Sequence, residues 1–232
     1  MNPGDSRIAE RKYWDPIVRA IGRRLSPGGN AGRLSILIYH RVFPEADPLY
    51  PDEVDRDTFD WQMSLLSRCF NVLSLADAVK RLQDGTLPPH SVCVTFDDGY
   101  LDNHDVALPI LRKWNIPATF FVASGYLNGS CMWNDIIFET VRKADGQVLD
   151  LASIELGVHS IGSLSERRSA ALTLVSQLKY LEQNKRSETI NRLVEASGTV
   201  APSNLMMQPR HVQALSREGM DIGAHTHSHP IL

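Results

Sequence analysis

The chain has 232 residues, of which 43% are hydrophobic and 22% charged, enough for one substantial globular domain or two small ones. Its formal net charge of −3, from 24 Lys+Arg against 27 Asp+Glu, gives no basic field to attract nucleic acid. No apolar run approaches the roughly 20 residues that span a bilayer. The N-terminus shows no apolar stretch with a small-residue cleavage site, as a secretory signal would. Cys69, Cys93 and Cys131 are odd in number and form no CxxC pair, which fits free thiols in a reducing cytoplasm. A cytoplasmic location is the expectation that follows.

Residues 1–33 are locally basic: Arg7, Arg11, Lys12, Arg19, Arg23, Arg24 and Arg33 outnumber Asp5, Glu10 and Asp15. Trp14, Ile17, Ile21 and Leu25 fall at helical spacing. This extension reads either as a solvated helix packed on the domain or as one lying on an anionic membrane surface. "SPGGNAG" (26–32) then breaks the helix, and the domain proper is expected over 34–232.

"LSILIYH" (34–40) is almost continuously apolar, as a strand covered on both faces would be. A helix over about 57–69, capped by Asp57, carries Phe59, Met63, Leu65 and Leu66. "SLADAVKRLQ" predicts a second, with Ser74 as N-cap, Asp77 in the capping-box position and Gly85 as the stop. "SVCVTFDD" (91–98) is the next strand, "NHDVALPILRKWN" a helix despite Pro109, and "PATFFVAS" (117–124) a third strand. Alternating strands and helices predict a parallel α/β sheet. Residues from about 128 to 204 read as a helical insertion, notably at 164–183 and 187–198, longer than an ordinary connection. "QPRHVQALSREGM" gives a short helix before "DIGAH" (221–225), the fourth strand.

This assignment sets Tyr39-His40, Asp97-Asp98 and His225 at carboxyl ends of strands, the edge where parallel α/β folds build their sites. "TFDDGY" (95–100) places two carboxylates at such an end, with Gly99 free to turn the backbone away. It reads either as a metal ligand beside a proton acceptor or as a structural helix cap. In "HTHSHP" (225–230), His225 and His229 have a spacing that can wrap a cation. Two imidazoles and a carboxylate make the three-ligand, open set of catalytic metals.

With these motifs the sequence resembles the polysaccharide deacetylases of carbohydrate esterase family 4. "TFDDGY" is similar to the family's T-F-D-D-G motif, and "HTHSHP" to its H-[ST]-x-x-H-P motif. "ILIYHRV" and "IPATFFVASGYL" look like its first and third strands, so the likeness spans roughly 34–126 and 205–232. The resemblance implies that Asp97 is the general base, and that Asp98, His225 and His229 hold a divalent metal, Zn²⁺ first and Co²⁺ or Ni²⁺ as alternatives. His227 is then the variable residue between ligands. Thr226 either bonds the loop backbone or is an ordinary β-residue.

The implied fold is a (β/α)7-type deformed barrel, here partial with about four parallel strands and the helical insertion. The implied reaction is hydrolysis of N-acetyl or O-acetyl groups on a polysaccharide or oligosaccharide. The family's later motifs, including its general acid, find no counterpart before Leu232, so a C-terminally truncated domain is expected. A catalytically deficient metal- or glycan-binding remnant is the alternative. His40 is a candidate for the acid, against a buried, hydrogen-bonded strand-end histidine. Tyr100, Trp133 and Asp135 are candidates for substrate contact, with core packing the competing role for Trp133. Three other hydrolase patterns fit less well: His229-Pro230 replaces the Asp-His of metallo-β-lactamase-like enzymes, the histidines follow rather than precede the acids, and no D-x-D-x-T is present.

Overall fold

A computed structural model describes residues 15–128 and 130–230. Arg7, Arg11, Lys12 and Trp14, assigned above to the basic extension, lie outside them. Helix α1 (Asp15–Leu25) leads to strand β1 (Leu34–Tyr39), then to the short strands β2 (Val42–Phe43) and β3 (Val54–Asp55). Helix α2 (Arg56–Cys69), strand β4 (Asn71–Val72), helix α3 (Leu75–Gln83) and strand β5 (Ser91–Phe96) follow. A π-turn at Asn103–Ala107 runs directly into helix α4 (Leu108–Trp114), which carries Pro109 in its first turn. Strand β6 (Ala118–Val122) completes this half.

Next come helix α5 (Trp133–Lys143), strands β7 (Val148–Leu151) and β8 (Gly157–Ser160), and helices α6 (Leu164–Leu178) and α7 (Gln183–Ala196). Helix α8 (Pro209–Arg217) and strand β9 (Asp221–Ala224) close the described chain. The main sheet has the order β1-β5-β6-β9, all parallel, with β4 also on β5. Four expected strands thus form one sheet in an α/β fold. Its core is Phe59, Met63, Val94, Phe96, Leu111 and Phe120 with their neighbours, and the Phe96 and Phe120 rings stack at 4.6 Å. The edge strands β1 and β9 expose Ile36, Ile38 and Ile222, so β1 is not covered on both faces as its apolar run predicts: it lies at the sheet edge, paired to β5 alone.

Residues between β6 and β9 build a second core, from Ile137, Val141, Leu151, Ile161, Leu174 and Leu193 among others. It is not all helical: β7 and β8 form an antiparallel hairpin. In "VLDL", Leu149 and Leu151 are buried while Val148 and Asp150 are exposed, the period-2 signal of a half-buried strand. A small cluster of Tyr100, Ala123, Met132 and Met206 forms the seam between the two cores.

Two local expectations need correction. The cap of α2 is Asp55, which accepts the Thr58 N–H at 2.8 Å, rather than Asp57, which lies inside the first turn. Helix α1 turns its apolar stripe outward, with Ile17, Ile21 and Leu25 exposed. It docks through polar groups instead: Asp15 pairs with Arg68 at 2.7 Å, and the Arg19 guanidinium reaches the Arg68 carbonyl.

Candidate metal centre

Strand β5 is buried over its whole length, which fixes the backbone leading into Asp97 and Asp98. The chain then reverses sharply. Gly99 N–H donates to the Asp97 carbonyl at 3.0 Å around Asp98, whose φ is 75°. A three-residue turn with this bond and sign of φ is the rare, strained γ-turn. Gly99 has φ 91°, and a Cβ there would meet Val122 at 3.2 Å. The turn lets neighbouring aspartates diverge: Asp98 is 5% exposed and points inward, while Asp97 is half-buried.

The second segment follows β9. His225 N–H donates to the Val122 carbonyl at 2.9 Å, extending the pairing with β6 by one residue. Thr226 (φ 62°) and His229 (φ 47°) are also left-handed. The Thr226 hydroxyl accepts the His229 N–H at 3.1 Å, so Thr226 does bond the loop backbone. His227 points away, its Nδ1 lying 3.0 Å from Ser124 Oγ, while its carbonyl accepts Gly125 N–H at 2.9 Å. Only glycine fits at 125, because a Cβ would come within 2.5 Å of that carbonyl.

These turns bring one ligand atom each from Asp98, His225 and His229 within 4.8 Å of one another. The His225 and His229 Nε2 atoms lie 3.5 and 3.2 Å from Asp98 Oδ1. These are ion-pair distances, yet Oδ1 is buried and accepts no hydrogen bond, and neither does buried His229 Nδ1 take part in one. Three lone-pair donors therefore converge on a point without satisfying each other. Two imidazoles and one carboxylate form the facial set that suits Zn²⁺ and its first-row neighbours. The residues present fit a divalent cation. Asp97 and His227 are not in the converging set.

The remaining candidates have different places. His40 directly follows the last β1 residue paired to β5, as Asp97 follows its partner (Tyr39↔Phe96). Its carbonyl accepts Asn103 Nδ2 at 2.9 Å, but its side chain is exposed, so the buried-histidine reading does not hold. Tyr100 and Asp135 are 3% and 1% exposed and bonded to each other at 3.1 Å, so neither presents a free group to a sugar. Trp133 is half-buried against the second core, with the Arg186 guanidinium 4.8 Å from its ring, which favours the packing role.

Sequence reasoning missed the polar cluster behind the site. Arg41 Nε donates to Asp102 Oδ2 at 2.9 Å, its Nη2 lies 2.9 Å from the same oxygen, and its Nη1 lies 3.9 Å from Asp135. Its guanidinium stacks on Tyr100 at 4.6 Å and Phe43 at 4.3 Å. Burial pushes Asp135 up to about 6 and Asp102 in the same direction, with Arg41 opposing in both. The only hint in the sequence is Arg41 between apolar residues in "YHRVF", which does not name its partners.

The family model for polysaccharide deacetylase matches residues 84–232. A poly-beta-1,6-N-acetyl-D-glucosamine N-deacetylase of Staphylococcus aureus is 23% identical over 202 residues, covering 81% of this chain and 70% of the relative. One of the same name from Staphylococcus epidermidis is 26% identical over 116 residues, 50% of this chain and 40% of the other. Among solved structures, a de-N-acetylase from Aggregatibacter actinomycetemcomitans matches with a TM-score of 0.46 and 17% identity. That match covers 83% of this chain but about half, 54%, of the solved one. IcaB from Ammonifex degensii matches with a TM-score of 0.36 and 20% identity, over 86% and 92% of the two chains. With the family model covering well over half of it, the chain belongs to the polysaccharide deacetylase family.

Proposed function

We propose that the protein hydrolyses N-acetyl groups of a polysaccharide at a divalent metal held by Asp98, His225 and His229, with Asp97 as general base. The observation that carries this reading is the convergence of those three ligand atoms within 4.8 Å, beside an aspartate outside the set. The names of the staphylococcal relatives point to β-1,6-linked N-acetylglucosamine as the first polymer to try.

A divalent ion in such a site supplies Lewis acidity, which activates water near neutral pH and polarises an amide carbonyl. The chain's own groups handle the protons. Asp97 takes one from the attacking water as the new C–O bond forms at the acetamide carbon. The C–N bond then breaks, and the departing amine nitrogen must gain a proton. His40 is the proposed donor, because its exposed side chain directly follows β1, as Asp97 directly follows the paired end of β5.

The test is acetate release from β-1,6-linked N-acetylglucosamine oligomers with Zn²⁺ or Co²⁺ added, alongside a metal titration by calorimetry. Metal binding with acetate release supports the enzyme. Binding lost in Asp98→Ala, with no release from wild type on any N-acetylated glycan, favours a binding remnant. Absence of binding in wild type overturns the site.

A further inference from the structure

The metal-bearing turn is strained and needs something to hold it. Asp98, Thr226 and His229 all have left-handed backbones without being glycine, and each such residue is strained. Around Asp98 the restraints come mainly from outside β5. The Ala123 N–H donates to the Asp98 carbonyl at 3.0 Å, and the Met207 N–H to the Gly99 carbonyl at 2.9 Å. Leu101 N–H donates to the Leu205 carbonyl at 2.8 Å, and Tyr100 bridges to Met206.

The side-chain restraint is Tyr100. Its ring lies under Arg41, and its hydroxyl donates to Asp135 Oδ2 at 3.1 Å. Asp135 is in the first turn of α5, whose Ile137, Phe138 and Val141 belong to the second core. It is 1% exposed, and its Oδ1 accepts no hydrogen bond. Burying a carboxylate there is a poor way to gain stability, since apolar groups of similar volume often do as well or better. What the carboxylate provides is a fixed acceptor for one phenol, and hence one position for the segment two residues beyond Asp98.

We infer that Asp135 is a positioning residue for the metal centre: through the Tyr100 hydroxyl it ties the Asp98 turn to the helical half of the molecule. The inference rests on the proposed metal site. A merely structural tie between two cores would lower stability and nothing else.

Two measurements on the full chain separate these. One is Co²⁺ titration, by calorimetry and by the visible absorption of the bound ion. The other is hydrogen exchange of the Ala123 amide in metal-free protein, against the global opening rate. Tyr100→Phe and Asp135→Ala should each weaken Co²⁺ binding about tenfold, as loss of supporting partners typically does. Both should accelerate Ala123 exchange beyond the global change. Asp135→Asn keeps an acceptor for the phenol and should bind Co²⁺ nearly as tightly as wild type. Wild-type Co²⁺ affinity in Tyr100→Phe and Asp135→Ala, with Ala123 exchange tracking only global stability, overturns the inference. If wild type binds no Co²⁺ the metal-site reading fails. The Ala123 rates then decide alone whether Asp135 holds the turn.

Discussion

At the strand ends Asp98 is 5% exposed, and its Oδ1 accepts no hydrogen bond although two histidine nitrogens stand 3.2 and 3.5 Å away. Behind it Asp102, 8% exposed, accepts from the Arg41 guanidinium and from Val42 N–H. Both carboxylates are buried, but one is held ready for a partner and the other is already paired. The backbone shows the same division. Asp98 sits at a left-handed turn, while Asp102 has ordinary helical angles. Removing Arg41 should therefore damage the fold, and removing Asp98 should damage only binding.

The largest effects test that contrast directly. Arg41→Ala leaves Asp102 and Asp135 buried without a cation, and breaking such a pair costs about 3–5 kcal/mol. Chemical denaturation should show this as a lower midpoint. Asp98→Ala and His229→Ala should abolish Zn²⁺ and Co²⁺ binding in calorimetry while the metal-free protein unfolds close to the wild-type midpoint. Asp98→Gly should even gain about 1 kcal/mol, because glycine adopts the positive φ freely. If Asp98→Ala proved as destabilising as Arg41→Ala, the two regions would not differ as argued.

Asp97 sharpens the comparison within the site. It is the neighbour of Asp98 but not part of the converging set. Asp97→Asn should retain Co²⁺ affinity and lose about 10²–10⁴ in acetate-release rate, the usual contribution of a general base. Loss of Co²⁺ binding in this variant would move Asp97 into the ligand set.

The sheet was legible because buried strands are written as local runs: "SVCVTF" and "ATFFV" lie where expected, and both motifs fall at strand ends. Thr226 was legible only in part, since its hydroxyl bond to His229 N–H depends on the left-handed turn between them. The Arg41–Asp102–Asp135 cluster was not legible. Its members are 61 and 94 residues from Arg41, and nothing local distinguishes a buried aspartate from a helix-terminal one. Asp135 reads from the sequence as a candidate for substrate contact, because an acid in the first turn of a helix, where a negative charge suits the dipole, is ordinarily exposed. The hairpin at 148–160 was not read as one: its strands are short, and their period-2 alternation lies beside stronger helical patterns, so it passed as part of the helical insertion.

The buried cluster also predicts a pH response in stability. Burial holds Asp135 at about 6, with Arg41 opposing, against 3.8 for a free aspartate. Below pH ~4 it is protonated folded or unfolded, and its favourable contribution is complete. As pH rises from about 4 to 6 the unfolded chain ionises first, so stability falls, by at most roughly 3 kcal/mol. Asp135→Asn should flatten that part of the profile in denaturation measured from pH 4 to 7. Some slope should survive, because burial raises Asp102 as well. An unchanged slope in Asp135→Asn would mean that Arg41 keeps Asp135 ionised throughout.

The smallest expected effect concerns the histidine between the ligands. His227 shares the loop of His225 and His229, but its Nδ1 faces Ser124 Oγ at 3.0 Å in an exposed position. A hydrogen bond of this kind is worth about 1 kcal/mol. The tie to β6 is also carried by main-chain bonds, Ser124 N–H to the Thr226 carbonyl and Gly125 N–H to the His227 carbonyl. Alanine leaves both intact. His227→Ala should therefore change Co²⁺ affinity by less than about fivefold, the equivalent of that bond. His225→Ala, two residues away, should remove binding altogether. Equal losses in the two variants would make the loop as a whole, rather than the converging nitrogens, the source of metal affinity.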